Sequence, residues 1–320
     1  MAISQSDAYA AQQAIEHLEQ RIEELENQLG RLRELTVRSY EGTPQAAAEL
    51  LRARRDSSYD DAFGSTPLVS VRIGTFNGGN ILFERALGSV LRQSYANWEA
   101  IVVCDGPEPS TAARIASLED ERIRCVQRPR NGPYPTHVPA RWQVAGTHPF
   151  NEGFALARGS WIAPIDQDDE WSDNHLEVLL AAAQHTRAEV AYGVARALVG
   201  TEGETYFGAW PPALGDFGFQ AAIYHASLTA FLYDVNAHLV DEPADWNLAR
   251  RMLEAGVRFE FAETIVTTYY VEEHAPAVDW WRERLRQRGR FPLERVDPDV
   301  QKSPGTGRDS DTDVMGSRTR

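Results

Sequence analysis

Three aspartates and a glutamate, Asp166, Asp168, Asp169 and Glu170, fall within five positions at the end of the apolar run "WIAPID". Like charges this close repel one another and lose hydration on burial, so the cluster costs stability unless a cation offsets it. A divalent metal would do so. Hard cations such as Mg²⁺ or Mn²⁺ take oxygen ligands, and Mg²⁺ typically keeps one or two protein carboxylates while substrate phosphates and water complete its shell. The chemistry suggested is that of a metal-bound phosphate compound. Two other readings compete. The turn could be solvated and lead into the helix "HLEVLLAAA" with Ser172 or Asp173 as its cap. It could also be a calcium loop, but Trp171 stands where that loop needs glycine, and the preceding segment is strand-like.

Positioning such a cluster takes a rigid frame, and the sequence around it supplies one. "LVSVRIGTF", "WEAIVVCD", "RIRCVQ" and "SWIAPID" read as strands, the second nearly continuous in apolar residues as expected when both faces are covered. Between them "ILFERALGSVLRQ", "STAARIASLED" and "NEGFALARG" read as helices, which predicts an α/β fold built on a doubly wound, mostly parallel sheet. Ligands of such sheets bind at the carboxyl ends of the strands. Three polar stations fall there: "TFN", "CDG" and "DQDD". The long loop from Pro129 to Pro149 carries Tyr134, Trp142 and Val144, and is expected to be ordered and packed near the site. Further on, "AEVAYGVARALV" and "ETYFGAW" predict a hairpin, "AAIYHASLTAFLYD" a strand, "DWNLARRMLEAG" a helix, and "RFEFAETIVTTYYV" a final strand pair.

At 320 residues and 42% hydrophobic composition, the chain can bury a sizeable core. A formal charge of −15 argues against a general nucleic-acid or anionic-membrane binder, which needs clustered Lys and Arg. Cys104 and Cys125 lie in apolar runs and are expected to be reduced core thiols. No apolar run of about 18 residues and no basic-then-apolar leader is present, so the simplest expectation is a cytoplasmic protein without a transmembrane segment.

The N-terminal segment carries Ala8, Ala11, Ile15, Leu18, Ile22, Leu25, Leu29 and Leu32 at alternating spacings of three and four. Ile at a with Leu at d favours a parallel two-stranded coiled coil, and hence a homo-oligomer, over an amphipathic helix folded back on the domain. The expected organisation is a coiled-coil helix over 1–37, a short helix and linker over 38–66, a catalytic domain over 67–296, and a disordered, apolar-poor tail over 297–320.

Taken together, "VSVRIGTFN", "ALGSVLRQSYANWEAIVVCDG", "NEGFALARGSWIAPIDQDDEW" and "ADWNLARRMLEAGVRF" resemble, in order, the motifs of the family 2 glycosyltransferases, nucleotide-sugar enzymes of the glycosyltransferase-A fold. The resemblance covers about Leu68 to Tyr270. It implies that Thr75 and Asn77 line the nucleotide pocket, that Asp105 contacts the base, with uracil favoured, and that Asn151 shapes the floor of the donor site. Asp166 would face the ribose or metal, and Asp168 would ligate Mn²⁺ or Mg²⁺ at the diphosphate. Asp245 would be the general base, although an aspartate directly before "WNLARRML" is also a good N-cap. His274 would add a metal or phosphate contact. The implied activity is metal-dependent, inverting transfer of a sugar from a nucleoside diphosphate, a UDP-sugar for preference, to a glycan or lipid-linked acceptor. Three departures stand out: Cys104 where many members have the first of two aspartates, Gly74 for a usual proline, and Phe150 for a common arginine before Asn151. The alternatives are a catalytically silent scaffold assembled through its coiled coil, or a nucleotidyltransferase. The latter more typically carries a Gly-rich basic loop, whereas "GTFNGGN" has no Lys or Arg.

Overall fold

A computed structural model describes residues 5–271 and 278–288. Two helices, α1 (Gln5–Tyr40) and α2 (Thr43–Ala53), lead through a 3₁₀ turn at Ser57–Phe63 into β1 (Val69–Thr75). Next come α3 (Gly79–Glu84), α4 (Ala86–Leu91), β2 (Trp98–Cys104), α5 (Pro109–Ala116) and β3 (Ile123–Gln127). The helices α6 (Val138–Val144) and α7 (Thr147–Leu156) then precede β4 (Trp161–Asp166), the short β5 (Glu170–Trp171) and α8 (His175–Thr186). The remainder is β6 (Val190–Val199), β7 (Gly203–Phe207), β8 (Ala222–His225), α9 (Ala244–Glu254), β9 (Phe259–Val271) and α10 (Val278–Arg288).

Every residue of β1 and β2 is buried, which is why their sequences lack strict alternation. Among the described residues the strands form one sheet of order β3-β2-β1-β4-β8-β6-β9-β5, with β7 paired to β6. The first four strands are parallel, as expected. Beyond β4 the sheet is mixed: β8 runs antiparallel to β4 and β6, β7 to β6 and β5 to β9, and only β6 with β9 is again parallel. The expected mostly parallel sheet is therefore parallel over one half only. Reduced thiols hold: Cys104 and Cys125 are both free, with their sulfurs 3.8 Å apart on adjacent strands.

Local differences from the sequence reading have identifiable causes. The single helix expected over "ILFERALGSVLRQ" breaks at Arg85, whose φ of −103° and ψ of −87° end α3 and begin α4. The break directs Nη1 of Arg85 to the carbonyl of Asp168, 3.0 Å away. "RFEFAETIVTTYYV" is one long strand, because a register irregularity near Tyr192–Ala195 of β6 lets β9 stay paired past the point where a turn was expected. The strand expected over "AAIYHASLTAFLYD" stops at His225 and gives way to 3₁₀ turns. The polar stretch from Asp56 is not a loose link: Tyr59 and Ala62 of its 3₁₀ turn are buried, as is Leu50 of α2.

Glu189 ties that segment to the sheet. Fully buried, it accepts hydrogen bonds from Arg54 at 2.6 and 2.7 Å and from the Tyr59 hydroxyl at 2.5 Å, and Arg258 pairs with it at 3.3 Å. Against the desolvation of burial, the bonds from Arg54 and Tyr59 hold its carboxyl below the ordinary range. Glu189→Ala should destabilise the fold by about 3 kcal/mol, the lower end for breaking a buried ion pair, since both arginines can still reach water. A denaturant midpoint within error of the wild type would refute this coupling.

The α1 helix is continuous, but its seam is bare. Ile15, Leu18, Ile22, Leu25, Leu29 and Leu32 are each about half exposed or more, and only near its end does Val37 become buried. The helix thus does not fold back along the domain. The tail expected to be disordered, 297–320, lies outside the described residues.

Candidate functional site

Strand register brings the polar stations together. Gly74 lies opposite Asp166 and Thr75 opposite Cys104, so Thr75, Asp105 and Asp166 share one carboxyl edge of the parallel half-sheet. Thr75 is buried and donates its hydroxyl to Oε1 of Gln167 at 2.6 Å. The Phe76 amide donates to the same oxygen at 2.9 Å, so Gln167 staples the loop after β1 to the loop after β4. Asn77 is exposed in the left-handed region at φ 51°, with its amide donating to Glu108 at 2.8 Å. Asp105 is buried and accepts from the Arg128 guanidinium, the Tyr134 hydroxyl at 2.6 Å and the Gly132 amide at 3.3 Å. These last two donors come from the loop after Pro129, which is ordered as expected and contains α6. Asn151 clamps Tyr233 from both sides: its Nδ2 donates to the Tyr233 carbonyl and its Oδ1 accepts from the Tyr233 amide, both at 2.9 Å.

Beneath Asp166 lies a cation that the sequence reading passed over. Arg72, 1% exposed on β1, has its Nη1 3.6 Å from Oδ1 of Asp166 and donates from Nη2 to the Tyr233 hydroxyl at 3.3 Å. Its guanidinium sits 3.7 Å from the centre of the Phe150 ring, a cation–π arrangement. Gly74 and Gly146 leave space for that ring, and Gly153 leaves space for the Arg72 stem; a Cβ at any of the three would collide with them. A guanidinium therefore occupies this region although Phe150 stands before Asn151. The only signal in the sequence was a charged residue inside an otherwise apolar strand.

The acidic turn has unequal members. The Asp166 side chain is 46% exposed, but toward a cavity, and desolvation there raises its pKa against the pull of Arg72 and with the push of Asp245. Asp168 is partly buried, its carbonyl held by Arg85. Asp169 is 1% exposed, and neither carboxylate oxygen has a partner in hydrogen-bond geometry. Desolvation, then Asp168 and Asp166, drive its pKa well above the ordinary range. Asn174, rather than Ser172 or Asp173, occupies the cap position of α8.

Asp245 is not a helix cap. Pro243 holds that position of α9, and Asp245 sits in the first turn, accepting from the Trp246 amide at 2.7 Å. Desolvation pushes its carboxyl up to about 6. Asp245 and Asp166 line the same cavity, of about 710 Å³, together with Arg72, Phe150, Tyr233 and a set of tryptophans. Thr75, Asn77, Asp105 and Asp168 do not line it, so Asp166 marks the border between this cavity and the Thr75–Asp105 edge. His274 lies outside the described residues.

Among the described residues no group of three or more His, Cys, Asp and Glu is arranged to hold a metal ion. A closed protein cage is thus absent there. The buried Asp169 and the Asp166 carboxyl, whose charged forms desolvation disfavours, suit a hard cation that would stabilise those charged forms, its remaining ligands being phosphate oxygens and water.

Comparison with known proteins gives the family and the fold. The model of the family described as glycosyl transferase family 2 matches residues 70–135 and 147–239. A glycosyl transferase ascribed to colanic acid biosynthesis, WcaA of Escherichia coli (strain K12), is 34% identical over 122 residues, 38% of this chain and 39% of that protein. The UDP-Glc:alpha-D-GlcNAc-diphosphoundecaprenol beta-1,3-glucosyltransferase WfgD of Escherichia coli is 29% identical over 126 residues, 39% of this chain and 45% of that protein. The match therefore spans less than half the length of these relatives. In fold, the chain is similar to S. aureus TarS 1-349 in complex with UDP, with a TM-score of 0.50 and 16% identity over 68% of this chain and 63% of that one. The mannosyltransferase PcManGT from Pyrobaculum calidifontis gives the same TM-score and identity over 80% and 72%.

Proposed function

The chain belongs to glycosyl transferase family 2, and on that premise we propose that it is a metal-dependent, inverting glycosyltransferase moving a sugar from a UDP-sugar to a hydroxyl of a glycan or lipid-linked acceptor. The observation that carries the reading is the single cavity lined by Asp166, at the end of a parallel strand, and Asp245, at the start of α9. A carboxylate on each side is what direct displacement asks for: one group beside the departing diphosphate and one to take the acceptor's proton. At neutral pH a carboxyl with a pKa of about 6 is ionised yet more basic than an ordinary aspartate, which suits Asp245 to that proton transfer.

Thr75, Asn77 and Asp105 would hold the nucleoside at the outer edge, and Asn151 would fix the floor through Tyr233. Arg128, Gly132 and Tyr134 pin Asp105 in one orientation before any ligand arrives. Asp168, with Asp166 and an added contact from His274, would hold Mn²⁺ or Mg²⁺, which when bound supplies Lewis-acid neutralisation of the diphosphate. Uridine is supported by the UDP-Glc in the name of the WfgD relative. Screening nucleotide sugars for thermal stabilisation with and without Mn²⁺, followed by assay of the released product, tests the whole reading. Stabilisation by UDP-sugars and release of UDP are expected; release of pyrophosphate would instead identify a nucleotidyltransferase, and neither binding nor turnover would leave a silent scaffold.

Among the described residues no helix is long and apolar enough to cross a membrane. The proposed cytoplasmic location rests on the nucleoside diphosphate donor and not on that absence. The bare seam of α1, with Ile15 and Ile22 at a and Leu18, Leu25 and Leu32 at d, supports pairing with a second copy. Light scattering should find a dimer, and Ile22→Glu with Leu25→Glu should make it monomeric without loss of the catalytic fold. A monomeric wild type would refute the coiled coil.

A further inference from the structure

The cavity on the Asp245 side of Asp166 has a composition that the proposed reaction alone does not require. Its wall includes Trp142 on α6 and Trp280 on α10, 41% and 49% exposed, with Leu214 and Trp246 beside them. Neither α6 nor α10 lies in the residues matched by the family model, which skips 136–146 and ends at 239. The two exposed indoles thus lie outside the residues that the family model matches. Trp280 is also held in place. Trp280 packs edge-on against the buried Trp281, and Nη2 of Arg284 bonds to Asp216 at 2.5 Å, fastening α10 to the loop that carries Leu214.

The charges in the cavity are one-sided. Asp166, Asp241 and Asp245 line it, and among its described lining residues Arg72 is the sole cation, set below the floor and already facing Asp166 and the Phe150 ring. A second anion brought here would meet three carboxylates without an accessible counter-charge. A neutral ring would not. Aromatic faces carry negative quadrupole density and attract the weakly positive C–H face of a pyranose, while carboxylates accept hydrogen bonds from its hydroxyls.

Resting on the glycosyltransferase reading, we propose that Trp142 and Trp280 form an acceptor subsite for an uncharged pyranose, so that the group receiving the transferred sugar is a neutral glycosyl residue and not a phosphorylated or uronic one. Any phosphate of a lipid-linked acceptor then lies outside this cavity. The indoles set acceptor choice by stacking, and Asp245 stands beside them to receive the hydroxyl proton.

The test uses the full chain and saturation-transfer NMR, with methyl glycosides of glucose, galactose and mannose as neutral probes, and glucuronic acid and glucose 1-phosphate as anionic ones. Saturation should pass from aromatic protons to one C–H face of at least one neutral glycoside and to neither anion. Trp142→Leu and Trp280→Leu keep apolar bulk but remove the aromatic face, and each should weaken that binding about two- to tenfold, the range for an aromatic contact. Absence of binding by every neutral probe, undiminished binding in both variants, or equal binding of an anionic probe would overturn the proposal. UDP affinity with Mn²⁺, measured by calorimetry on the same samples, separates the two readings. If UDP binds and the glycosides do not, the subsite falls and the transferase stands. If UDP fails to bind, the UDP-sugar reading falls, while the sugar probes still report on the wall.

Discussion

Asp245→Asn is expected to lower sugar transfer by at least about 100-fold, the contribution typical of a lost general base, while donor affinity stays within a few-fold. The structure sharpens this expectation. Because Pro243 and not Asp245 holds the cap of α9, the substitution removes no cap, and the asparagine amide oxygen can still accept from the Trp246 amide. It removes a carboxyl whose pKa is raised to about 6 by desolvation. A carboxyl shifted upward in the folded state contributes stability below its unfolded value and loses that contribution as pH rises through about 6. The asparagine variant should therefore be no less stable than the wild type at pH 7.5. The same value fixes the shape of the pH profile: transfer should fall tenfold per pH unit below about 6, plateau above it, and lose that limb in the variant. A folded, donor-binding variant with near-normal transfer would leave the mechanism without its base.

The second large effect concerns the metal. Chelation, or Asp168→Ala, should reduce donor-dependent turnover by about 10³-fold or more, since a bound cation contributes several kcal/mol of charge stabilisation. The chain should nevertheless stay folded. Asp168 is one of the charges that push the Asp169 carboxyl upward, so its removal relieves repulsion while taking away a proposed metal ligand. Calorimetry that found undiminished donor affinity both with chelator and in the Asp168→Ala chain would remove the metal from the reaction.

The parallel half of the sheet was legible because buried strands and amphipathic helices alternate with strong periodicity from Val69 to Asp166, and because ligands gather at strand carboxyl ends. The mixed half was less so. Nothing local in "AAIYHASLTAFLYD" announces that only Ala222–His225 pairs, because the partners that fix that strand, β4 and β6, lie far away in sequence. The acidic residues were found by their density, but their division of labour was not. Asp169 is buried among groups remote in sequence, and the Tyr270 backbone on β9 and Arg85 oppose the upward shift of its carboxyl. Gln167 looked like a spacer between aspartates, and its bonds to Thr75 and Phe76 depend on the register of β1 against β4. The tryptophans of the cavity wall were visible as residues but not as neighbours, since α6 and α10 are brought together by the fold alone.

The stack of Arg72 on Phe150 has a consequence for how this sequence can change over time. Gly74, Gly146 and Gly153 leave the space it fills, and Gly74 and Phe150, where the resemblance implies proline and arginine, approach one another directly. Restoring proline at 74 alone would drive side-chain atoms into the Phe150 ring, and restoring arginine at 150 alone would set a second guanidinium where Arg72 already lies. Each substitution made singly is therefore expected to destabilise the fold, and the residues to behave as one coupled unit. Non-additivity of the kind seen for residues in contact, on the order of 0.5–3 kcal/mol, is therefore expected between substitutions at 74 and 150, so that the two positions can be exchanged together more readily than one at a time.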